Sequence, residues 1–298
     1  MRELAQPLQR EALSVRWQSK RLQQAFWRIV ALAIVLAGAV VVLIPFLWML
    51  STSLKTEIET YAFPPKWVPS KLVWRNYPEV LTILPFGLFF RNTAIITFSC
   101  MFGQVLSASL VAYGFARMRA PGRDLLFVIL LGTMMLPGQV TIIPLYLLFH
   151  KLGWVNTFKP LIVPSFFGGG AFSIFLLRQF FMGIPPEMDD AAKIDGCSRF
   201  GIYWRLVLPL SYPALATVAI FSFMGHWNDF FAPLIYLNDL EKFTVSLGLS
   251  FFQGGVMMTG RLDQLMAASV TALLPCLIVF FTAQRLFIQG IVITGVKG

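Results

Sequence analysis

From Ile29 to Leu50 no charged side chain interrupts the sequence, and runs nearly as apolar recur at about 89–115, 125–149, 160–181, 207–231 and 265–287. Each reaches the roughly 20 residues that a helix needs to cross the hydrocarbon layer of a bilayer. Only helices and closed barrels satisfy their backbone polar groups there. Barrel strands would be about ten residues long and alternating in polarity, and these runs are continuous. Only 13% of the 298 residues are charged and 57% are hydrophobic, whereas soluble domains carry about 25% charge. One soluble core cannot hide that much apolar surface. The expected fold class is all-α: a polytopic membrane protein with six transmembrane helices.

The chain divides accordingly. Residues 1–28 form a polar N-terminal tail, 29–287 the six-helix transmembrane domain, and 288–298 a short C-terminal tail. The tail and first run could be the start of a signal peptide, but the run is too long for a cleaved core and lacks a clear small-residue cleavage site. It is read as a first helix that stays, with Pro45 near its outer end. Trp67, Trp74 and Tyr77, in the turn-rich segment that follows, suit an interfacial belt. The second run ends in GQVLSASLVAYGFAR, whose small residues let helices approach closely in lipid. Pro137-Gly138 and Pro144 interrupt the third. Gly168-Gly169-Gly170, in the fourth, reads either as a locally unwound turn of the kind found at transporter binding sites or as a close-packing patch.

Six spans place both termini on one side. That side holds the N-terminal tail, the Arg117–Asp124 loop, the polar stretch 184–213 and the C-terminal tail, which together carry more bases than acids. The short Arg117, Arg119, Arg123 loop votes most clearly, and the positive-inside rule assigns this side to the cytoplasm. The expected location is therefore a cytoplasmic (inner) membrane, multi-pass, with both termini cytoplasmic. The net charge of +10 is spread along the membrane surfaces and signals no nucleic-acid partner.

Much chemistry is excluded by what the sequence lacks. It has no GxxxxGK[ST] phosphate loop and no HExxH. Cys100, Cys197 and Cys276 form no close pair, and His150 and His226 lie far apart, so no metal site is expected. What remains is the polar stretch IPPEMDDAAKIDGCSRFGIYWRLVLPLSYP (184–213) and the polar residues of the spans. Pro186 suits a first helical turn. Glu187, Asp189 and Asp190 fall where the helix dipole favours negative charge. Gly196 suits a left-handed terminator, and Ser198 can cap a second helix that runs towards Leu208-Pro209. The result is a short helix-turn-helix lying on the cytoplasmic face. It serves either as a docking element or as a solvated, well-capped loop.

Asp190-Ala191-Ala192, three residues, Gly196, nine residues and Leu206-Val207-Leu208-Pro209 resemble the EAA motif of ABC-importer permeases. Asp replaces the usual Glu and Leu206 the usual Ile, and neither change removes the chemistry. The wider stretches IPPEMDDAAKIDG and LPLSYPAL, together with WNDFFAPLIYL (Trp227–Leu237) and the closing GVKG, resemble the maltose-type carbohydrate branch of those permeases. The resemblance spans all six runs.

It implies a permease fold with a cytoplasmic coupling helix in the loop 184–206. It also implies a sister permease, two ATPase subunits and a soluble or lipid-anchored substrate-binding protein as partners, besides the membrane lipids. The chain itself would be no enzyme and would bind no cofactor, since ATP and Mg²⁺ would sit on the ATPase. Coupling would fall to Glu187, Asp190, Ala191, Ala192, Gly196, Leu208 and Pro209, with Lys297 in the tail as a weaker contact. The cargo would be a sugar or sugar-like solute, with glycerol phosphate and polyols equally compatible.

Polar groups inside membrane spans are functional by default, and here the inventory is Asn92, Gln104, Gln139, Asn228, Asp229 and Gln284. Each serves either an interhelical hydrogen bond or a substrate. Gln139, Gly169, Asn228 and Asp229 are the candidates for the substrate pathway. Two other classes compete. A prenyltransferase would use Asp189, Asp190 and Asp195 to hold Mg²⁺, but it would want a facing acidic cluster that the sequence lacks. A channel would leave the docking loop unexplained.

Overall fold

All regular structure in the computed structural model is helical among the described residues, 5–254 and 261–295, with side-chain surroundings described for 23–252 and 261–284. Lys297 lies outside them. Helix α1 (Ala5–Ser53) passes through residue 28 without a break, and its most apolar stretch has none of its residues buried against the rest of the chain. Leu32, Val35 and Val42 stand exposed along it, as side chains facing lipid would.

Helix α2 (Phe86–Arg117) is the hub. Its buried residues include Phe89, Thr93, Ile96, Cys100, Gly103 and Ser107, which recur every three or four positions and so form one continuous stripe. At Gly103 a methyl group would lie 2.6 Å from the Phe166 ring. The small residues of α2 thus permit the close approach expected of them.

Helices α3 (Arg123–Thr133) and α4 (Gly138–Lys151) meet at 96°. The third expected span is therefore two helices rather than one. Pro137 forces its predecessor away from helical backbone, and the chain turns there. Next come Lys159–Ile162, a 3₁₀ turn Val163–Phe166 and helix α5 (Ala171–Met182). Helix α6 (Pro186–Ile194) follows. A short helix Arg199–Ile202, a π turn Tyr203–Val207 and Leu208–Leu210 then lead into helix α7 (Tyr212–Trp227), and this pair is bent by 79°. The fifth expected span, 207–231, is corrected accordingly: residues 207–210 belong to the bent arm, and the straight helix ends at Trp227. Helix α8 (Val245–Gly254) precedes helix α9 (Leu262–Gly295), which runs on past residue 287. Among the described residues four helices are long and apolar enough to cross a membrane, or six if each bent pair counts as one span.

Two apolar clusters occupy opposite ends of α2. One gathers Phe86, Phe89, Tyr236, Phe243 and Leu247, and the other Ala108, Ala112, Leu177, Phe181, Tyr203 and Val207. Between them sits a polar knot. Gln104 donates through Nε2 to Ser173 Oγ at 3.0 Å and accepts at Oε1 from Ser222 Oγ at 2.8 Å. One amide thereby ties α2 to α5 and α7, the interhelical role open to it from the sequence.

Gly168, Gly169 and Gly170 all have positive φ, at 94°, 57° and 81°. Both sequence readings hold at once: the helix is unwound, and at Gly169 a methyl group would lie 2.6 Å from Ala108 Cβ and 2.7 Å from Gln104 O. Only a residue without Cβ fits there.

Candidate functional site

The stretch 184–213 folds largely as its residues dictate. Pro186 opens α6, with Glu187 and Asp189 in its first turn and Lys193 in its last, the charge order that complements a helix dipole. Gly196 takes φ +79°. Its N–H donates to Lys193 O at 3.0 Å, and the N–H of Cys197 reaches back to Ala192 O at 2.9 Å. Those two bonds make a Schellman termination. Ser198 caps the next helix by accepting from Gly201 N at 3.1 Å.

Helix α6 presents two faces. Glu187, Asp190, Ala191 and Ile194 are exposed and stand at i, i+3, i+4 and i+7, hence on one side. Ile194 is 86% exposed, an apolar side chain at the end of a row of acids and a methyl group. Asp190 bonds Lys193 Nζ at 2.7 Å, and that hydrogen bond and charge hold its carboxyl below the usual carboxylate range. On the opposite side Asp189 is buried and Ala192 packs against the neighbouring apolar cluster.

Asp189 turns inward because Arg117 waits there. Arg117, the last residue of α2, places Nη1 3.6 Å from Asp189 Oδ2. Its Nη2 donates to Phe181 O at 2.7 Å and to Ile184 O at 2.6 Å. Tyr113 donates to Arg199 O at 2.9 Å, and Ser109 Oγ shares a hydrogen bond with Tyr203 Oη at 2.8 Å.

Glu187, Asp190 and Ala191 thus stand on the free face, whereas Ala192 faces inward. Leu208 packs on the apolar cluster and Pro209 is exposed at the corner that leads into α7, so these two shape the bend rather than extend the α6 surface. Sequence reasoning passed over three residues. In the sequence Arg117 counts only as positive charge beside the membrane, Asp189 as a first-turn acid or one of three acids for Mg²⁺, and Ile194 carries no reading. A heptad-style reading of α6 would have put Ile194 beside Glu187 and Asp190, but nothing local points to the partners of Arg117. Asp189 and Asp190 face opposite ways, so the acids do not converge as a magnesium site requires. Among the described residues no three metal-ligating side chains gather.

The four pathway candidates sit in different local settings. Gln139 is exposed near the start of α4. Asn228 is exposed and donates to Met224 O at 2.8 Å. Asp229 Oδ1 accepts from the N–H groups of Phe231 and Ala232 at 3.1 and 3.2 Å, which starts the short helix Phe231–Tyr236. Gly169 is buried against α2.

Residues 104–293 match the family described as binding-protein-dependent transport system inner membrane component. The arabinooligosaccharides transport system permease protein AraQ of Halalkalibacterium halodurans is 35% identical over 236 residues, covering 77% of this chain and 81% of that protein. The trehalose/maltose transport system permease protein MalG of Thermococcus litoralis is 33% identical over 264 residues, covering 87% and 93%. Among solved structures, a chain of a bacterial ABC transporter involved in the import of the acidic polysaccharide alginate superposes with a TM-score of 0.78 at 23% identity, over 87% of this chain and 96% of that one. That likeness bears on the fold.

Proposed function

The chain belongs to the family of binding-protein-dependent transport system inner membrane components, and on that premise we propose that α6 is the element through which separate ATPase subunits drive it. It is a membrane-embedded permease subunit of an ABC importer for a sugar or oligosaccharide.

The observation that carries the proposal is the two-faced geometry of α6. Its inner face is bound to the end of α2 through Asp189 and packs Ala192 on the neighbouring apolar cluster, while Glu187, Asp190, Ala191 and Ile194 project outward. A helix seated in that way can press on a partner without coming away from its own bundle. The partner groove fitting this face has an apolar pocket for Ile194, room beside Ala191 and donors or bases for the acids. The occupant is an ATPase subunit, which holds ATP and Mg²⁺, so this chain catalyses nothing itself. A sister permease completes the translocation pathway, and a substrate-binding protein delivers the sugar. Of the pathway candidates, the exposed amides Gln139 and Asn228 suit sugar hydroxyls, whereas Gly169 and Asp229 serve packing and capping.

The membrane is a cytoplasmic (inner) membrane, with α6 and both termini on the cytoplasmic side. A tag at Ser198 is then shielded from reagents outside intact cells, and one near Pro69 is reached.

Burying an Ile side chain is worth about 1.5–3 kcal/mol, and each 1.4 kcal/mol is tenfold in affinity. In a complex assembled with both permeases, the ATPase and the binding protein, Ile194→Asp is expected to weaken ATPase retention by at least about tenfold. Retention equal to that of the unaltered complex would remove α6 from the interface.

A further inference from the structure

Helix α2 differs from the other spans. It runs 32 residues with no proline, whereas α1 and α9, though also continuous, contain Pro45 and Pro275. The chain is interrupted between α3 and α4, before α5 and before α7. Proline is one cause of sharp kinks, and α2 has none. At 1.5 Å per residue it is a rod of about 48 Å.

Both ends of the rod are pinned to segments distant in sequence. At one end Ser109, Tyr113 and Arg117 stand four residues apart, stacked on one face. They hold Tyr203, the carbonyl of Arg199, the carbonyls of Phe181 and Ile184, and the Asp189 carboxylate. Arg117 is 9% exposed on its side chain, so these bonds are made away from water.

At the other end Asn92 donates through Nδ2 to Glu241 O at 2.8 Å and to Phe243 O at 3.0 Å. Thr93 Oγ1 accepts from Val245 N at 2.9 Å while donating to Phe89 O at 2.8 Å. There is no slack at that end: a methyl group on Gly248 would lie 2.5 Å from the Phe89 ring. Midway, Gln104 ties the rod to α5 and α7.

We infer that α2 is the strut that carries displacement of α6 to segment 241–245 at the opposite membrane face, with Arg117 and the Asn92–Thr93 pair as the positioning residues at its two ends. The inference rests on the docking role proposed for α6. It adds that segment 241–245, on the side opposite α6 from which a binding protein would approach, is hydrogen-bonded to the same helix that holds the ATPase-facing loop. A coupling free energy between two sites is reciprocal, so a loaded binding protein pressing on 241–245 pushes on α6 through the same rod. Packed intermediacy alone is no proof of coupling, and a double-mutant cycle supplies the test.

The measurement is the ratio of ATP hydrolysis with sugar-loaded binding protein to hydrolysis without it, in the complete reconstituted complex, with assembly followed by co-purification. Thr93→Val keeps the volume but removes the hydroxyl that accepts from Val245, while Thr93→Ser keeps the hydroxyl. Thr93→Val and Arg117→Gln are each expected to lower the ratio by at least about fivefold, the lower end of usual coupling. Thr93→Ser is expected to retain it, and the double variant to be no worse than the poorer single one. A residue that merely stabilised the fold would lower the melting temperature without moving the ratio. Where Arg117→Gln fails to assemble, the Thr93→Val and Thr93→Ser pair decides. A normal ratio in Thr93→Val, or losses that multiply in the double variant, would overturn the strut. The docking reading would still stand there, because its own test is retention of the ATPase by the Ile194→Asp complex.

Discussion

Arg117 and Asp189 form the ion pair that seats α6 against the end of α2, with Nη1 and Oδ2 3.6 Å apart and side chains only 9% and 12% exposed. Removing one partner of a buried pair costs about 3–5 kcal/mol, because the other charge is left uncompensated. Asp189→Ala is therefore expected to lower the thermal unfolding midpoint of the detergent-solubilised protein markedly. Asp190→Ala, which loses an exposed bond to Lys193, should leave the midpoint in place and reduce stimulated ATP hydrolysis instead. Equal midpoints for the two variants would contradict the inward and outward assignment.

Gly168 and Gly169 are neighbours with different reasons to be glycine. Both have positive φ, but a methyl group on Gly168 meets nothing within 4 Å while one on Gly169 meets the backbone of α2 at 2.7 Å. Left-handed backbone costs an L-residue about 1–2 kcal/mol, and overpacking adds about 1–3 kcal/mol. Gly169→Ala should be the more destabilising by that second amount. Denaturant or thermal unfolding of the two alanine variants checks the difference.

Gly196 has open space around it and φ +79°, so conformation alone constrains it inside this chain. Asn tolerates that backbone far better than a β-branched residue does. Gly196→Asn should keep membrane insertion and most stimulated hydrolysis. Gly196→Val should keep insertion and lose the stimulation, because the Schellman turn that sets the direction of α6 comes apart. Hydrolysis assays on inserted complexes distinguish the two.

Glu59 accepts from Ser70 Oγ at 2.6 Å and from Ser70 N at 2.9 Å, and the side-chain bond, then the backbone bond, depress its pKa. A carboxyl with a lowered folded pKa stabilises fully above its ordinary value of about 4.3 and loses that contribution as pH falls through the lowered one. The segment 51–76 should therefore loosen only in acid below about pH 4. Melting curves at pH 6 and pH 3.5 should separate more for the unaltered protein than for Glu59→Gln.

How much was legible in the sequence depended on how far each residue reached. The ends of α6 were readable because Pro186, Gly196 and Ser198 act within a turn of themselves. The corner between α3 and α4 was signalled by Pro137 and the bend at Ser211 by the flanking Pro209 and Pro213, whereas the angles of 96° and 79° were not. Gln104 was readable as a hydrogen-bonding amide, but Ser173 and Ser222 as its partners were not.

The EAA-like spacing named the loop and left its orientation open. A helical period says that Glu187, Asp190, Ala191 and Ile194 share a side and that Asp189 does not. It does not say which side faces out.

The sequence by itself determined the class of the molecule, the position of the polar loop 184–213 and the caps that shape it, because apolar length and capping bonds are local properties. Only the tertiary structure decided that Asp189 turns inward, that Ile194 stands free, and that one helix is pinned at both ends to segments far away in the chain. Arg117 meets carbonyls 64 and 67 residues distant, and Asn92 meets carbonyls 149 and 151 residues distant. Such contacts exist only once the bundle has packed, since it is packing that excludes water and leaves each buried polar group to find a partner within reach.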